Sequence, residues 1–121
     1  MKAAKEAYKA GNGEAALALA YRVMERSPGT AWYRRALFLS EQVFIRMDRA
    51  SDADAAMLRV IAEYPELADY AVFILADYHF EKGRFTRSAT LYGRLLDRYP
   101  KSSLVASAAY RRAQSLLESY A

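Results

Sequence analysis

Three prolines set the outer limits on what this chain can fold into. They stand at positions 28, 65 and 100 of 121 residues, so the intervals are 37 and 35. Each closes the same kind of phrase: Arg22-Val-Met-Glu-Arg-Ser-Pro28, Arg59-Val-Ile-Ala-Glu-Tyr-Pro65 and Arg94-Leu-Leu-Asp-Arg-Tyr-Pro100. Each phrase reads as the last turns of an amphipathic helix, ended because proline has no N–H to continue the ladder. Breakers returning at such an interval are the mark of a repeat architecture, in which length counts repeated units.

A second set of breaks falls between the prolines. Gly11-Asn12-Gly13, the polar stretch Asp48 to Asp52, and Gly83-Arg84 each separate two helical patterns. Gly83 suits a left-handed helix C-cap, where the missing Cβ removes a steric cost. Ser51-Asp-Ala-Asp54 has the form of a capping box opening the next helix, and Asp52 and Asp54 suit the positive end of its dipole. The patterns predict seven helices, over about 2–10, 14–27, 30–47, 52–64, 67–82, 86–99 and 103–120. No segment alternates convincingly enough for a strand. The expected organisation is a single domain over 1–121, with units at about 1–28, 29–65 and 66–100 and an unpaired final helix at 103–120.

The third unit carries a specific resemblance. Leu75-Ala76 in its first helix, Gly83 at the turn, Phe85 beside it, Tyr92 in its second helix and Pro100 at the exit resemble a tetratricopeptide repeat (TPR). It departs from that pattern at Val72, His79, Ser88 and Leu95. The second unit matches at Ala53, Met57, Val60 and Pro65 without a turn glycine, and the first at Gly11, Ala16 and Pro28. Tyr110-Arg-Arg-Ala113 after the last proline echoes Tyr33-Arg-Arg-Ala36. The resemblance implies an all-α, TPR-like α-solenoid of antiparallel helix pairs, about seven helices in a right-handed superhelix. Ala76 and Ala89 would let two helices approach while Leu75, Phe85, Tyr92 and Leu96 fill the space between them. One pair cannot bury its apolar face alone, so neighbours must stack.

A narrower likeness points to the bacterial envelope. Tyr64-Pro-Glu-Leu-Ala-Asp-Tyr-Ala71 followed by Phe73-Ile-Leu-Ala76 resembles a phrase in the helical superhelix of soluble lytic murein transglycosylases. Tyr99-Pro-Lys-Ser-Ser-Leu104 and the Ala-rich helix after it are also similar to periplasmic TPR lipoproteins. Either origin implies a non-catalytic scaffold, a protein-binding module or a glycan-steering module, within a larger protein. A periplasmic address would follow if the native chain carries a signal peptide, and a cytoplasmic one otherwise. The segment Met-Lys-Ala-Ala-Lys-Glu has no apolar stretch behind its lysines and is not expected to be a signal peptide. The longest apolar runs, Ala15 to Tyr21 and Tyr70 to Ala76, fall far short of the roughly twenty residues a membrane span needs.

Composition removes much chemistry. With no cysteine and a single histidine, thiolate metal sites, disulfides and paired imidazoles are excluded. His79 could be a base or a ligand, but Asp77 and Glu81 lie two residues to either side, off its helical face. It is expected to pack where an aromatic usually sits. Glu118-Ser119 resembles the catalytic Glu-Ser pair of lytic transglycosylases, yet none of that domain's other motifs follows, so Glu118 reads as a solvent-facing residue. Gly11-Asn-Gly13 lacks the lysine and the strand-to-helix setting of a phosphate loop. No catalytic residue, cofactor or metal is expected.

What remains is recognition. On a TPR the inner surface is lined by the first helix of each pair, which here implies Arg35, Phe38, Gln42, Tyr70, Phe73, Asp77, Tyr110, Arg111 and Gln114. Aromatics beside arginine combine large apolar area with directional donors, as a peptide-binding surface needs. Most of the ten tyrosines are otherwise expected in the core. Net charge is +4, but its sign alternates along the chain: +4 over residues 1–47, −6 over 48–81 and +7 over 82–112. The last block could neutralise phosphates, though the alternation suits a solvated helical surface better, and nucleic acid is not the expected partner. The partner expected is a protein or peptide, or the rest of a longer chain. Val105, Ala109, Leu116, Leu117 and Tyr120 would leave the final helix uncovered, which suggests a fragment of a longer solenoid or closure by self-association.

Overall fold

The computed structural model describes residues 1–120, and among them there are seven α-helices and no strand. They are α1 (Lys2–Lys9), α2 (Gly13–Arg26), α3 (Ala31–Arg46), α4 (Ala50–Glu63), α5 (Ala68–Glu81), α6 (Phe85–Arg98) and α7 (Val105–Ser119), with a 3₁₀ turn at Pro65–Leu67. Every helix lies within two residues of the span its periodicity predicts.

The turns repeat more faithfully than the side chains do. Gly11, Asp48 and Gly83, spaced like the prolines, have φ of 79°, 58° and 76°. In each turn the next N–H reaches back five residues, from Asn12 to Ala7, Arg49 to Phe44 and Arg84 to His79, each at 2.9 Å. This closure satisfies carbonyls that the helix end leaves bare. The other turns repeat too. Ser27, Tyr64 and Tyr99 leave the helical region at φ near −130°, as residues before proline must.

The closure around Asp48 displaces the expected capping box. The chain turns straight into α4 at Ala50, so Ser51 lies inside the first turn and the N-cap is Arg49, with no side-chain cap. Asp52 instead accepts from Arg49 Nε at 2.9 Å, with Nη2 at 2.8 Å. Side-chain caps stand elsewhere: Asn12 Oδ1 accepts from Ala15 N–H, and Thr30 Oγ1 from Tyr33 N–H, both at 3.2 Å.

The contacts divide into two compact units, Met1–Leu67 and Ala68–Ala121. In the first, α1 packs on α2, α2 on α3 and α3 on α4. Ala16, Ala20, Ala36 and Ala53 are wholly buried there, so the backbones approach closely, and Leu37, Val43, Met57 and Val60 fill the space around them. The eight-residue α1 is too short to persist alone. It is held by the buried Ala4 and by Arg46, whose guanidinium lies 4.2 Å over the Tyr8 ring and also bonds the Tyr8 carbonyl.

In the second unit α5 packs on α6 and α6 on α7. Leu75, Tyr92, Ala76 and Ala89 are buried as expected, whereas Phe85 and Leu96 are only half-buried. Leu95 takes the interior position next to Leu96, and Phe85 sits edge-on to Phe80 at 5.4 Å. The Ser88 and Ser115 hydroxyls, both fully buried, meet at 2.8 Å across α6 and α7. His79 is buried, its ring 5.1 Å from that of Tyr78, so it packs as the aromatic it replaces.

Candidate functional site

In the first unit three candidate residues converge. Arg35, Phe38 and Gln42 sit on α3 at spacings of three and four, which place them along one stripe of a helix. They line a cavity of about 260 Å³ together with Lys5, Leu39, Tyr64 and Leu67. The wall therefore offers two cations, an amide and a mixed aromatic–aliphatic floor. Arg34 and Arg35 splay apart: Arg34 lies 5.8 Å over the Tyr64 ring and Arg35 lies 5.3 Å over Trp32.

Trp32 is half exposed, and it was not among the residues the repeat pattern selects. It also lines a cavity of about 220 Å³ with Arg22, Val23, Arg26 and Ser27. Its place three residues before Arg35 is the signal that could have identified it. The repeat pattern does not name Lys5, Tyr64 and Leu67, because they line the cavity from α1, the C-cap of α4 and the 3₁₀ turn after it.

The second unit uses part of its candidate set internally. Phe73 packs edge-on against Tyr92 at 5.9 Å between centroids. Asp77 accepts from the Tyr92 hydroxyl at 2.5 Å and pairs with Arg111 at 3.5 Å. Burial, then the bond to Asp77, pushes the Tyr92 phenol well above its usual range, so it stays a donor. Arg111 also reaches to 5.9 Å from the centre of the Phe80 ring. Asp77 thus ties α5, α6 and α7 together, and its carboxylate is occupied. Tyr70 and Tyr110 are exposed, Tyr110 at 67%, and Gln114 is half-buried. Tyr110 is not brought against Arg111: successive residues diverge by about 100° around a helix.

The tyrosines as a class depart from expectation. Only Tyr78 and Tyr92 of the ten are buried. Of the rest, Tyr8, Tyr33, Tyr64 and Tyr99 are half-buried, a setting in which a ring can lie on apolar surface while its hydroxyl reaches a charged group, and Tyr21, Tyr70, Tyr110 and Tyr120 are exposed. Tyr33 shows the pattern: its hydroxyl donates to Glu63 Oε1 at 2.6 Å and accepts from Arg59 Nη2 at 2.8 Å. The bond to Tyr33 holds the Glu63 carboxyl below its usual range.

Leu116 and Leu117 on α7 and Tyr120 at its C-cap are exposed, the last two at 74% and 87%. Glu118 is exposed, as expected. Among the described residues, no helix is long and apolar enough to cross a membrane.

The family comparison agrees with the repeat frame. The family model for the tetratricopeptide repeat matches residues 42–103 and again residues 75–119, together more than half of the chain. No curated protein matches it. TPR repeats generally mediate contacts between proteins. With seven helices in paired succession, turns at a common interval and that match, the chain belongs to the tetratricopeptide-repeat family and is an all-α, TPR-like solenoid.

Proposed function

We propose that this chain is a non-catalytic scaffold that holds a protein or peptide partner on the exposed faces of the first helix of each pair. One observation carries the reading: Arg35, Phe38 and Gln42 line a single cavity together with Lys5. A cation pair, an amide and a flat ring within one cavity provide apolar area and directional donors at once. In the second unit Tyr70 and Tyr110 supply exposed aromatic surface, while Phe73, Asp77 and Arg111 hold the helices that present it.

Selection from a random peptide library against the domain tests this. Selected peptides should bind the wild type and lose most affinity for the Arg35→Ala/Phe38→Ala/Gln42→Ala variant, which keeps its helical content. Peptides that bind both equally would overturn the assignment of this wall.

Membership of a bacterial envelope protein is a finer reading, carried by the phrases Tyr64 to Ala71 and Tyr99 to Leu104. A glycan-steering role predicts measurable binding of murein fragments by calorimetry. Absence of heat at millimolar fragment would exclude that role.

A further inference from the structure

The turn between α1 and α2 holds the only asparagine of the chain, Asn12, directly before a glycine, Gly13. Asparagine before glycine is a chemically labile step, because no Cβ hinders the glycine nitrogen from attacking the side-chain amide. The fold nevertheless uses both residues. Asn12 is the N-cap of α2, and its Oδ1 accepts from Ala15 N–H at 3.2 Å. Gly13 opens α2 against the side chain of Met47, and a Cβ there would come within 2.7 Å of Met47 Cγ and Sδ. A larger residue would have to displace that side chain. Asn12 is exposed, so water reaches its amide.

The docked turn guards this step. Asn12 has φ −93° and ψ 81°. For an L residue that ψ sets the Gly13 nitrogen nearly opposite Cβ across the Cα–C bond, out of reach of Cγ. Attack requires a large rotation about that bond. α1 and α2 are joined through it, so the rotation swings α1 off the helix on which it packs. It also pulls Oδ1 away from Ala15 N–H. The buried Ala4, and Arg46 lying 4.2 Å over the Tyr8 ring, hold α1 against this movement.

We propose that Asn12 is a deamidation site guarded by the docking of α1. When α1 lifts off, the Gly13 nitrogen attacks Asn12 Cγ. The new C–N bond closes a succinimide ring, the Cγ–Nδ2 bond breaks, and the side-chain nitrogen leaves as ammonia, taking the proton of the Gly13 amide. Water then opens the ring. Addition at Cγ leaves aspartate at position 12. Addition at the backbone carbonyl carbon leaves isoaspartate, whose chain continues through Cβ and Cγ.

The two products act differently. Aspartate caps a helix as well as asparagine does, and it places a charge at the positive end of α2. Isoaspartate adds a methylene to the backbone and turns the original main-chain carbonyl into a free carboxylate. That carbonyl accepts from Ala16 N–H at 3.0 Å, and the Asn12 N–H closes the turn onto the Ala7 carbonyl at 2.9 Å. With the longer backbone the two bonds lose their common register, so α1 no longer redocks. A brief opening of the turn thereby becomes permanent.

The test incubates the full chain in mildly alkaline buffer and follows position 12 by peptide mass spectrometry, with chromatography separating aspartate from isoaspartate. The folded chain should convert roughly tenfold or more slowly than the chain in guanidinium chloride, because reaction waits on local opening. Arg46→Ala, with helical content unchanged, should convert severalfold faster than the wild type. Tyr8→Ala, which removes only the ring beneath Arg46, should act in the same direction. The isolated isoaspartate form should show faster amide hydrogen exchange throughout α1, whereas Asn12→Asp should exchange as the wild type does.

No conversion in guanidinium chloride would overturn the site itself. Equal rates in the folded and unfolded chains would overturn the guard, and so would wild-type rates in both Arg46→Ala and Tyr8→Ala. An isoaspartate form whose α1 exchanges like the wild type would overturn the permanent release of α1.

Discussion

Replacing Glu41 should stabilise the protein and remove most of its dependence on pH between 5 and 8. Glu41 lies on α3, is 0% exposed, and neither carboxylate oxygen has a hydrogen-bond partner among the described residues. Burial pushes its carboxyl from 4.5 up to about 9, because the charged form loses its hydration and gains nothing in return. Below pH 4.5 the group is protonated whether the chain is folded or not, and it exerts no pH-dependent cost. Above that, the unfolded chain releases the proton while the folded chain keeps it, so folding must take a proton up. Each pH unit then removes about 1.4 kcal/mol, and the loss continues until the folded group itself ionises near pH 9.

At pH 7 the cost is about 3 kcal/mol, and between pH 5 and pH 8 it grows by about 4 kcal/mol. That is a large share of the roughly 5–15 kcal/mol that holds a typical domain together. Glu41→Met keeps the volume and removes the carboxyl. Urea unfolding of both proteins at pH 5, 6, 7 and 8 provides the comparison. Far-UV circular dichroism reports helix, and the fluorescence of Trp32, the only tryptophan and also on α3, reports the same unit. The midpoint of the wild type should fall steadily with rising pH while that of Glu41→Met stays nearly level. The difference between the two isolates Glu41, since every other titration is common to both. Parallel profiles would refute the reasoning, and so would a wild type that gains stability over this range.

Four further outcomes follow from the same geometry. Gly83→Ala should cost about 1 kcal/mol by thermal unfolding, since φ is +76° while no atom lies within 4 Å of the added Cβ, leaving backbone strain as the whole effect. Asp48→Gly should change stability by less than about 1 kcal/mol, because relief of a non-glycine residue at φ 58° in the equivalent turn is set against loss of the interactions of its carboxylate. Ser88→Ala or Ser115→Ala alone should each cost about 0.5–1.5 kcal/mol, since the remaining hydroxyl keeps its bond to the Phe85 or Arg111 carbonyl, and the double substitution should cost less than the sum, as a double-mutant cycle would show. Asp77→Ala should destabilise the second unit by about 1–2 kcal/mol through loss of its bonds to Tyr92 and Arg111, measured by amide hydrogen exchange in α5 to α7. An unchanged exchange pattern would show that this pairing does not hold the helices.

The helices were legible because their ends are fixed by backbone chemistry. Proline cannot continue a helix and glycine relieves the left-handed cap, so Pro28, Pro65, Pro100, Gly11 and Gly83 mark the frame whatever lies between them. Ser51 misled because a capping box is a local pattern, whereas the start of α4 is set by the turn before it, where Asp48 takes the glycine's conformation. The candidate wall was legible only along α3: spacing identifies Arg35, Phe38 and Gln42, but no period within one helix identifies Lys5 or Tyr64 arriving from others. Asp77 shows the complementary case. Its position in the repeat says that it is presented on the first helix, and only distance reveals that it also pairs with Tyr92 and Arg111.

The repeat frame also tells a necessary residue from an exceptional one. Counting from the turn residues Asp48 and Gly83, Glu41 stands where the next repeat has Ala76, and both are fully buried. A small residue there lets two helices approach, and a carboxyl in its place costs stability with no bond returned. Gly93 departs in the opposite sense, leaving space where Tyr21 and Leu58 fill it. A glycine inside a helix costs up to about 1 kcal/mol relative to alanine, so its use must be weighed against that loss. At Gly93 a structural return is visible, because Arg112 lies across the space and three guanidiniums gather around one cleft. At Glu41 no bonded return is visible. The two departures therefore respond differently to substitution: Glu41→Met should raise stability at neutral pH, whereas Gly93→Ala gains helix propensity only as far as Arg112 Nε, 3.3 Å from the added Cβ, moves aside. A lower unfolding midpoint for Gly93→Ala would show that Arg112 holds its place across the glycine.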